Sequence, residues 1–313
     1  MPAFLKRFFG DPLDKKKRLV GWEKKHDSGY YDIIRFFGPA GSDPSEIIIK
    51  YLPGIITFRD PLIAGYSAEM EKRLRLENRL YDGPTVMMTA GFDPVSDPPV
   101  MTVREVKYGD VAGSSYTLDF KHPLFERVGG TLRYYYKTRY PSNKIESNPL
   151  ANCLGVCGYL LVKEGDRTYL LQVTRSGKVA SLENSRGPSV AGGVDFVEGY
   201  RNLRELLDRA LSAEIKEEVN LDPSEYKIIP LAYAREIFRG ERPQLFALIE
   251  TLLTRKEITK RLENLKIKFI ETDSFEFIPL RTNRSLDPAI LRTLNHEALM
   301  NYYLLEEYLN FVG

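Results

Sequence analysis

The sequence predicts an α/β protein whose C-terminal half is a layered α/β/α domain, preceded by an α+β N-terminal region. Three observations predict it. Two apolar runs of strand length, CLGVCGYLLV and RTYLLQVTR, flank the turn-forming KEGD. A charged helical stretch at about 200–219 is followed by two more strand-like runs, YKIIPLAYARE and QLFALIETLL. A long helical pattern at about 287–310 closes the chain. Strands around a central helix, with another helix at the end, bury their apolar faces by stacking in layers.

The chain has 313 residues, enough for two domains at roughly 100–200 residues each. We divide it into 1–145 and 146–313. The polar, proline-punctuated PSNKIESNPLA at 141–151 serves as the linker. In the N-terminal part, IIIKYLPGIITF at 47–58 reads as one or two short strands, and SAEMEKRLRLENRL at 67–80 as a helix. TVMMTAGF and PVMTVREVKY read as strands on either side of DPVSDPP. A helix at about 256–264 and a strand at 275–280 follow the second apolar pair of the C-terminal part.

Composition excludes several classes. Apolar residues make up 43% and charged residues 28%, as in soluble globular proteins. The net charge of +2 gives no bulk argument for a nucleic-acid or membrane partner. The most apolar run, at 153–162, is half the roughly 20 residues a membrane span needs. With no targeting segment evident, the chain is expected to be cytoplasmic. Two cysteines, Cys153 and Cys157, rule out a disulfide framework and read as buried packing groups. The first 30 residues carry Lys15, Lys16, Lys17, Arg18, Lys24 and Lys25 among Phe8, Phe9 and Trp22. That pattern suits a phosphate-binding surface with stacking rings, but equally a solvated charged terminus, which is the commoner case.

The chemistry is expected in GGVDFVEGYRNLRELLDRALSAEIKEEVNL, residues 192–221. Positions three and four apart share a helix face, so Glu214, Glu217 and Glu218 fall on one side. Three like charges repel, and a divalent cation offsets that repulsion. Hard carboxylate oxygens suit Mg²⁺, or Mn²⁺ in its place. Leu211, Ile215 and Val219 recur every four residues and form a stripe that can seat the helix on a sheet. Asn220 tolerates the left-handed conformation that ends helices, and Asp222-Pro223 prevents continuation.

AEIKEEVNL, with the upstream SVAGGV, LLQVTRSGKVA and the downstream FEFIPL, resembles the Nudix hydrolase family over roughly residues 150–310. The resemblance implies a Nudix-type α/β/α sandwich with a mixed sheet. It implies Mg²⁺- or Mn²⁺-dependent hydrolysis of a nucleoside diphosphate linked to another moiety, such as a nucleotide sugar or an ADP-ribose-like compound. Glu214, Glu217 and Glu218 are then metal ligands, joined by the backbone near Gly193 and one loop carboxylate. Glu214 and Glu217 are the catalytic pair, with Glu217 the first choice of base and Asp273 and Glu276 the alternatives. Arg175 and Arg209 are the substrate-binding candidates. The implied partner is a small-molecule nucleotide, with no membrane. The N-terminal half shapes the pocket, makes a homodimer or recognises a partner.

The sequence departs from the family pattern at three places. Ala213 stands where the family has arginine, Asn220 where it has glycine, and the stretch from the glycine pair to the helix is longer. A Nudix-like module that binds a nucleotide without turnover is therefore a second reading, and an RNA-directed, decapping-like hydrolase using the basic start a third. The added length leaves two loop carboxylates. Glu198 is preferred, and Glu205 stays open. Glu205 precedes Glu214 by nine residues, about half a turn out of phase on a continuous helix. Leu203, Leu206 and Leu207 would share the carboxylate face of such a helix, so a bend or break is expected near 208–212.

Overall fold

The computed structural model describes residues 31–38, 41–77, 80, 86–93, 97–140, 145–177, 182, 184–265, 272–281 and 285–312. The basic start, residues 1–30, lies outside them, as do residues 141–144 of the expected linker. Strands are β1 Tyr31–Phe36, β2 Ile48–Ile55, β3 Val86–Asp93, β4 Val100–Val106, β5 Gly155–Glu164 and β6 Arg167–Arg175. They continue with β7 Arg186–Gly187, β8 Val190–Gly193, β9 Tyr226–Glu236, β10 Arg242–Thr251 and β11 Thr272–Pro279. Helices are α1 Pro61–Leu76, α2 Tyr108–Ser114, α3 Leu132–Arg139, α4 Leu203–Glu218, α5 Arg255–Asn264, α6 Pro288–Leu291 and α7 His296–Val312. The single C-terminal helix expected at 287–310 is thus two, α6 and α7, separated at 292–295.

The strand-length apolar runs assemble one mixed sheet in the order β1-β9-β10-β5-β6-β11. β10 runs parallel to β5, and β5 pairs antiparallel with β6 and β8. Alternation along each strand sends successive side chains to opposite faces. Val156, Leu160, Leu245, Ala247 and Ile249 face α4 and α5. Cys157, Tyr159, Leu161, Phe246 and Leu248 face α7. The layers are therefore helix, mixed sheet, helix, as expected. Both cysteines are buried and free. β1 extends this sheet by pairing antiparallel with β9, so a strand from the N-terminal part crosses the boundary expected at 145/146.

A second, three-stranded sheet, β2-β4-β3, joins the α4 side. Ile47, Ile49, Met101 and Val103 belong to the same buried cluster as Leu203, Leu206, Leu207, Leu211 and Ile215. This explains why α4 runs unbroken through 208–212, where a break was one of the two expectations. Its leucines are apolar because α4 is packed between the large sheet and elements of the N-terminal part. The Asn202 side chain accepts a hydrogen bond from Glu205 N–H (2.9 Å) and starts the helix. Asn220, at φ 58°, ends it in the left-handed region. Arg261 of α5 donates to the Asn220 carbonyl (2.9 Å), tying that end down.

Leu207 is fully buried in this cluster. Leu207→Ala should cost about 2–5 kcal/mol, since the site cannot collapse between two packed layers. Urea unfolding of the variant against the wild type checks this, and a loss below about 1 kcal/mol would mean the helix is not packed on both sides.

Candidate active site

The carboxylates do not all behave alike. Glu214 and Glu218 are half-buried, and Glu217 is exposed. Glu214 lies against Gly192, so closely that a Cβ at that position would fall inside its carboxylate. The Ala191 N–H donates to a Glu218 oxygen (3.0 Å). Two acidic side chains, one turn apart, are thus brought to the glycine pair by the same helix face that carries the leucines. The bare backbone at Gly192 makes the room. Gly193 itself pairs with Gly155 across β8 and β5.

The remaining candidates are dispersed. Glu205 lies about two and a half turns before Glu214, on the opposite side of α4, accepting from Arg201 N–H (3.0 Å) and from the Arg201 guanidinium. That contact lowers its carboxyl below the usual range. Because α4 is continuous, Glu205 is not brought to the carboxylate pair. Glu198 is exposed in the turn before the helix. Arg209 is exposed and its guanidinium stacks over Tyr200 at 5.6 Å. Asp273 and Glu276 are exposed on β11, and Glu276 forms an ion pair with Arg186. Arg175, at the end of β6, is half-buried. Its Nε is buried with no hydrogen-bond partner among the described residues.

Beside the glycine strand stands a group of charges that sequence reasoning missed. Arg242 donates to Cys153 Sγ (3.3 Å) and reaches the Gly192 carbonyl (3.5 Å). It also pairs with Glu236 (3.4 Å) and Glu297 (3.6 Å). Arg239 meets Glu297 at 2.7 Å and Glu236 at 3.4 Å. All four residues are at most 5% exposed. Burial pushes the Glu297 carboxyl up, but Arg239 and Arg242 more than reverse this and hold it at about 2. At Glu236 burial prevails, and its carboxyl is raised. Burial, with the two guanidiniums, lowers the neighbouring His296 to about 3, so its ring is neutral near pH 7. The available signal was EIFRGER, residues 236–242: four charges in a short turn between two apolar strands.

Among the described residues, no group of three or more His, Cys, Asp or Glu side chains is gathered closely enough to hold a metal ion. Magnesium takes only one or two carboxylates from a protein, the rest of its shell being water and substrate phosphate. Glu214 and Glu218 at the glycine pair meet that smaller requirement, and their hard oxygens suit Mg²⁺ or Mn²⁺.

No protein-family model matches the chain, and no curated protein matches it. Solved structures do. A mutT/nudix family protein from Listeria innocua is 12% identical with a TM-score of 0.36, covering 51% of this chain and 95% of that one. The NUDIX domain of Shewanella oneidensis NrtR, solved with ADP ribose, is 16% identical with a TM-score of 0.34, covering 55% and 98%. A C. elegans Ap4A hydrolase is 12% identical with a TM-score of 0.31, covering 51% and 98%. Over about half of its length the chain is similar to solved Nudix/MutT proteins. No helix among the described residues is long and apolar enough to cross a membrane.

Two outcomes follow from this geometry. Gly192→Ala should leave the protein folded, because the displaced atoms are the far end of a flexible glutamate, yet push the Glu214 carboxylate off the glycine strand. Calorimetric titration with Mn²⁺ should then show weakened binding, and unchanged affinity would separate Glu214 from any cation site. The second outcome concerns pH. Glu297 titrates lower folded (about 2) than its ordinary 4.5, so its contribution to stability is present above about 4.5 and is lost as pH falls toward 2. The stability gap between wild type and Glu297→Gln should therefore narrow over that window in urea melts. A gap that widens instead would contradict the pairing with Arg239.

Proposed function

We propose that this chain is a divalent-cation-dependent hydrolase of nucleoside diphosphate-linked compounds, with a Nudix-type catalytic unit in residues 146–313. The observation that carries the reading is the placement of Glu214 and Glu218 at the Gly192-Gly193 strand, within a segment whose motif order resembles that family. Glu214 and Glu218 would hold Mg²⁺ or Mn²⁺. When bound, the cation withdraws charge from the phosphorus and lowers the pKa of a water.

The chain's own residues supply the rest. Glu217, exposed one turn from Glu214, has solvent access to accept a proton; such help is typically worth about 10²–10⁴-fold. Asp273 and Glu276 are alternative bases from β11. Glu276 would first have to leave Arg186. Arg175 is the candidate for the second phosphate, its buried Nε having no hydrogen-bond partner among the described residues. Arg209 is a weaker candidate, being stacked over Tyr200. The favoured substrates are nucleotide sugars or ADP-ribose-like compounds, because the added N-terminal part lies beside α4 and can help enclose a two-part ligand.

Ala213 favours a second reading, a module that binds a nucleotide without turnover. The family's arginine at this place orients a catalytic glutamate, and an alanine side chain cannot. A hydrolysis panel of nucleotide sugars, ADP-ribose and dinucleoside polyphosphates with Mg²⁺ or Mn²⁺ decides between the two. Turnover that falls by about 10²-fold or more in Glu217→Gln, with unchanged melting, supports the hydrolase. Ligand-induced thermal stabilisation with no turnover supports the binding module.

A further inference from the structure

The turn Val197–Tyr200 precedes α4 and presents Glu198 and Gly199. Gly199 has φ 109°, which favours glycine. A four-residue turn ordinarily closes with a hydrogen bond from its fourth N–H to its first carbonyl. Here a phenol from another sheet bridges the two groups. The Tyr200 N–H donates to the Tyr51 hydroxyl (3.0 Å), and that hydroxyl donates to the Val197 carbonyl (3.1 Å). The Tyr51 ring also packs edge-on against Phe196, with centroids 6.0 Å apart.

The same strand, β2, continues the attachment along the chain. Ile49 N–H donates to the Arg201 carbonyl (3.1 Å), and Leu203 N–H donates to the Ile47 carbonyl (2.9 Å). Ile48 and Asn202 form an antiparallel bridge between these two contacts. Asn202 is also the residue whose side chain caps α4. Strand β2 therefore holds the turn, the cap and the first helical residue in one continuous seam.

An α-helix is stiff along its axis. The run from Leu203 to Glu214 covers about 16 Å at 1.5 Å per residue. A shift at the first turn is passed to the carboxylates that α4 sets on the strand, Glu214 against Gly192 and Glu218 on the Ala191 N–H. From this geometry we infer that Tyr51 is a positioning residue: through the phenol-bridged turn, the N-terminal sheet sets where α4 delivers Glu214 and Glu218 on the glycine strand. This gives the N-terminal part a role at the site. The inference rests on the reading that those carboxylates bind a divalent cation.

The test uses the full chain, with Mn²⁺ alone as the probe, and variants Tyr51→Phe and Gly199→Ala. These disturb one turn from two sides. The first removes the hydroxyl. The second strains a positive φ in open space, with no neighbour for the new methyl to strike. Ile63→Val, in α1 and in a separate buried cluster with Tyr66 and Phe125, serves as a control that costs stability without touching the turn. Both turn variants should weaken Mn²⁺ binding roughly 3- to 10-fold, as expected for loss of one or two hydrogen bonds. They should also speed exchange of the Ala191 amide, which donates to Glu218. The control should leave both readouts at wild-type values. Wild-type affinity and exchange in Tyr51→Phe, with a loosened Tyr200 amide, would overturn the inference. So would equal losses in the control. Glu214→Gln separates the two claims. If it binds Mn²⁺ as the wild type does, the cation reading falls. The positioning claim is then judged on Ala191 exchange alone, where no acceleration in Tyr51→Phe overturns it.

Discussion

The close approach of α4 to the glycine strand is the constraint on which the candidate site depends. A side chain at Gly192 would occupy the volume of the Glu214 carboxylate, so only a bare backbone lets that carboxylate rest on the strand where α4 delivers it. What holds it there is apolar burial: Leu203, Leu206, Leu207, Leu211 and Ile215 are all fully buried, each worth about 1.5–3 kcal/mol over exposure. That anchoring outweighs the cost of bringing two half-buried carboxylates against a strand. Glu218 recovers part of the cost through the Ala191 N–H, a charge-assisted bond.

The Gly192 backbone is also approached by Arg242, whose guanidinium reaches its carbonyl. Two arginines and two glutamates buried together are not a general source of stability, because desolvation offsets most of their attraction. Removing one partner would leave the others charged in a low-dielectric interior, which is strongly destabilising. The β9–β10 turn that carries this group is also held from the N-terminal part. From that part Lys137 pairs with Glu241 at 2.6 Å and Arg133 donates to the Ile237 carbonyl (3.3 Å), and just past the boundary Asn148 and Asn152 donate to the Gly240 carbonyl at 2.7 and 2.8 Å. The N-terminal part thus grips the catalytic candidate at two places, this turn and the seam along β2.

Much of the fold was legible in local pattern. Apolar runs of strand length and the turn KEGD located β5 and β6. Spacing of apolar residues located α4, and Asn220 marked its end for the reason the sequence suggested. The phase argument also separated Glu205 from Glu214. The expected break in α4 failed because it assumed that a face bearing carboxylates must be open along its whole length. In fact the face changes character along the helix, apolar where two sheets enclose it and acidic where it reaches the glycine strand. Arg242 and Glu297 escaped notice because they are 55 residues apart in the chain and neither belongs to a motif.

By itself, the sequence determined which side chains share a face, where helices start and stop, and that three glutamates crowd one end of α4. Those properties follow from backbone periodicity and capping, which act over a few residues. Only the tertiary structure decided that Glu214 meets Gly192 and Glu218 meets Ala191 while Glu217 stays exposed, that Tyr51 bridges a turn 146 residues away from it, and that a group of four buried charges reaches the Gly192 carbonyl through Arg242. Such contacts depend on the relative placement of layers, which is fixed by packing between distant segments and leaves no periodic trace in any one of them.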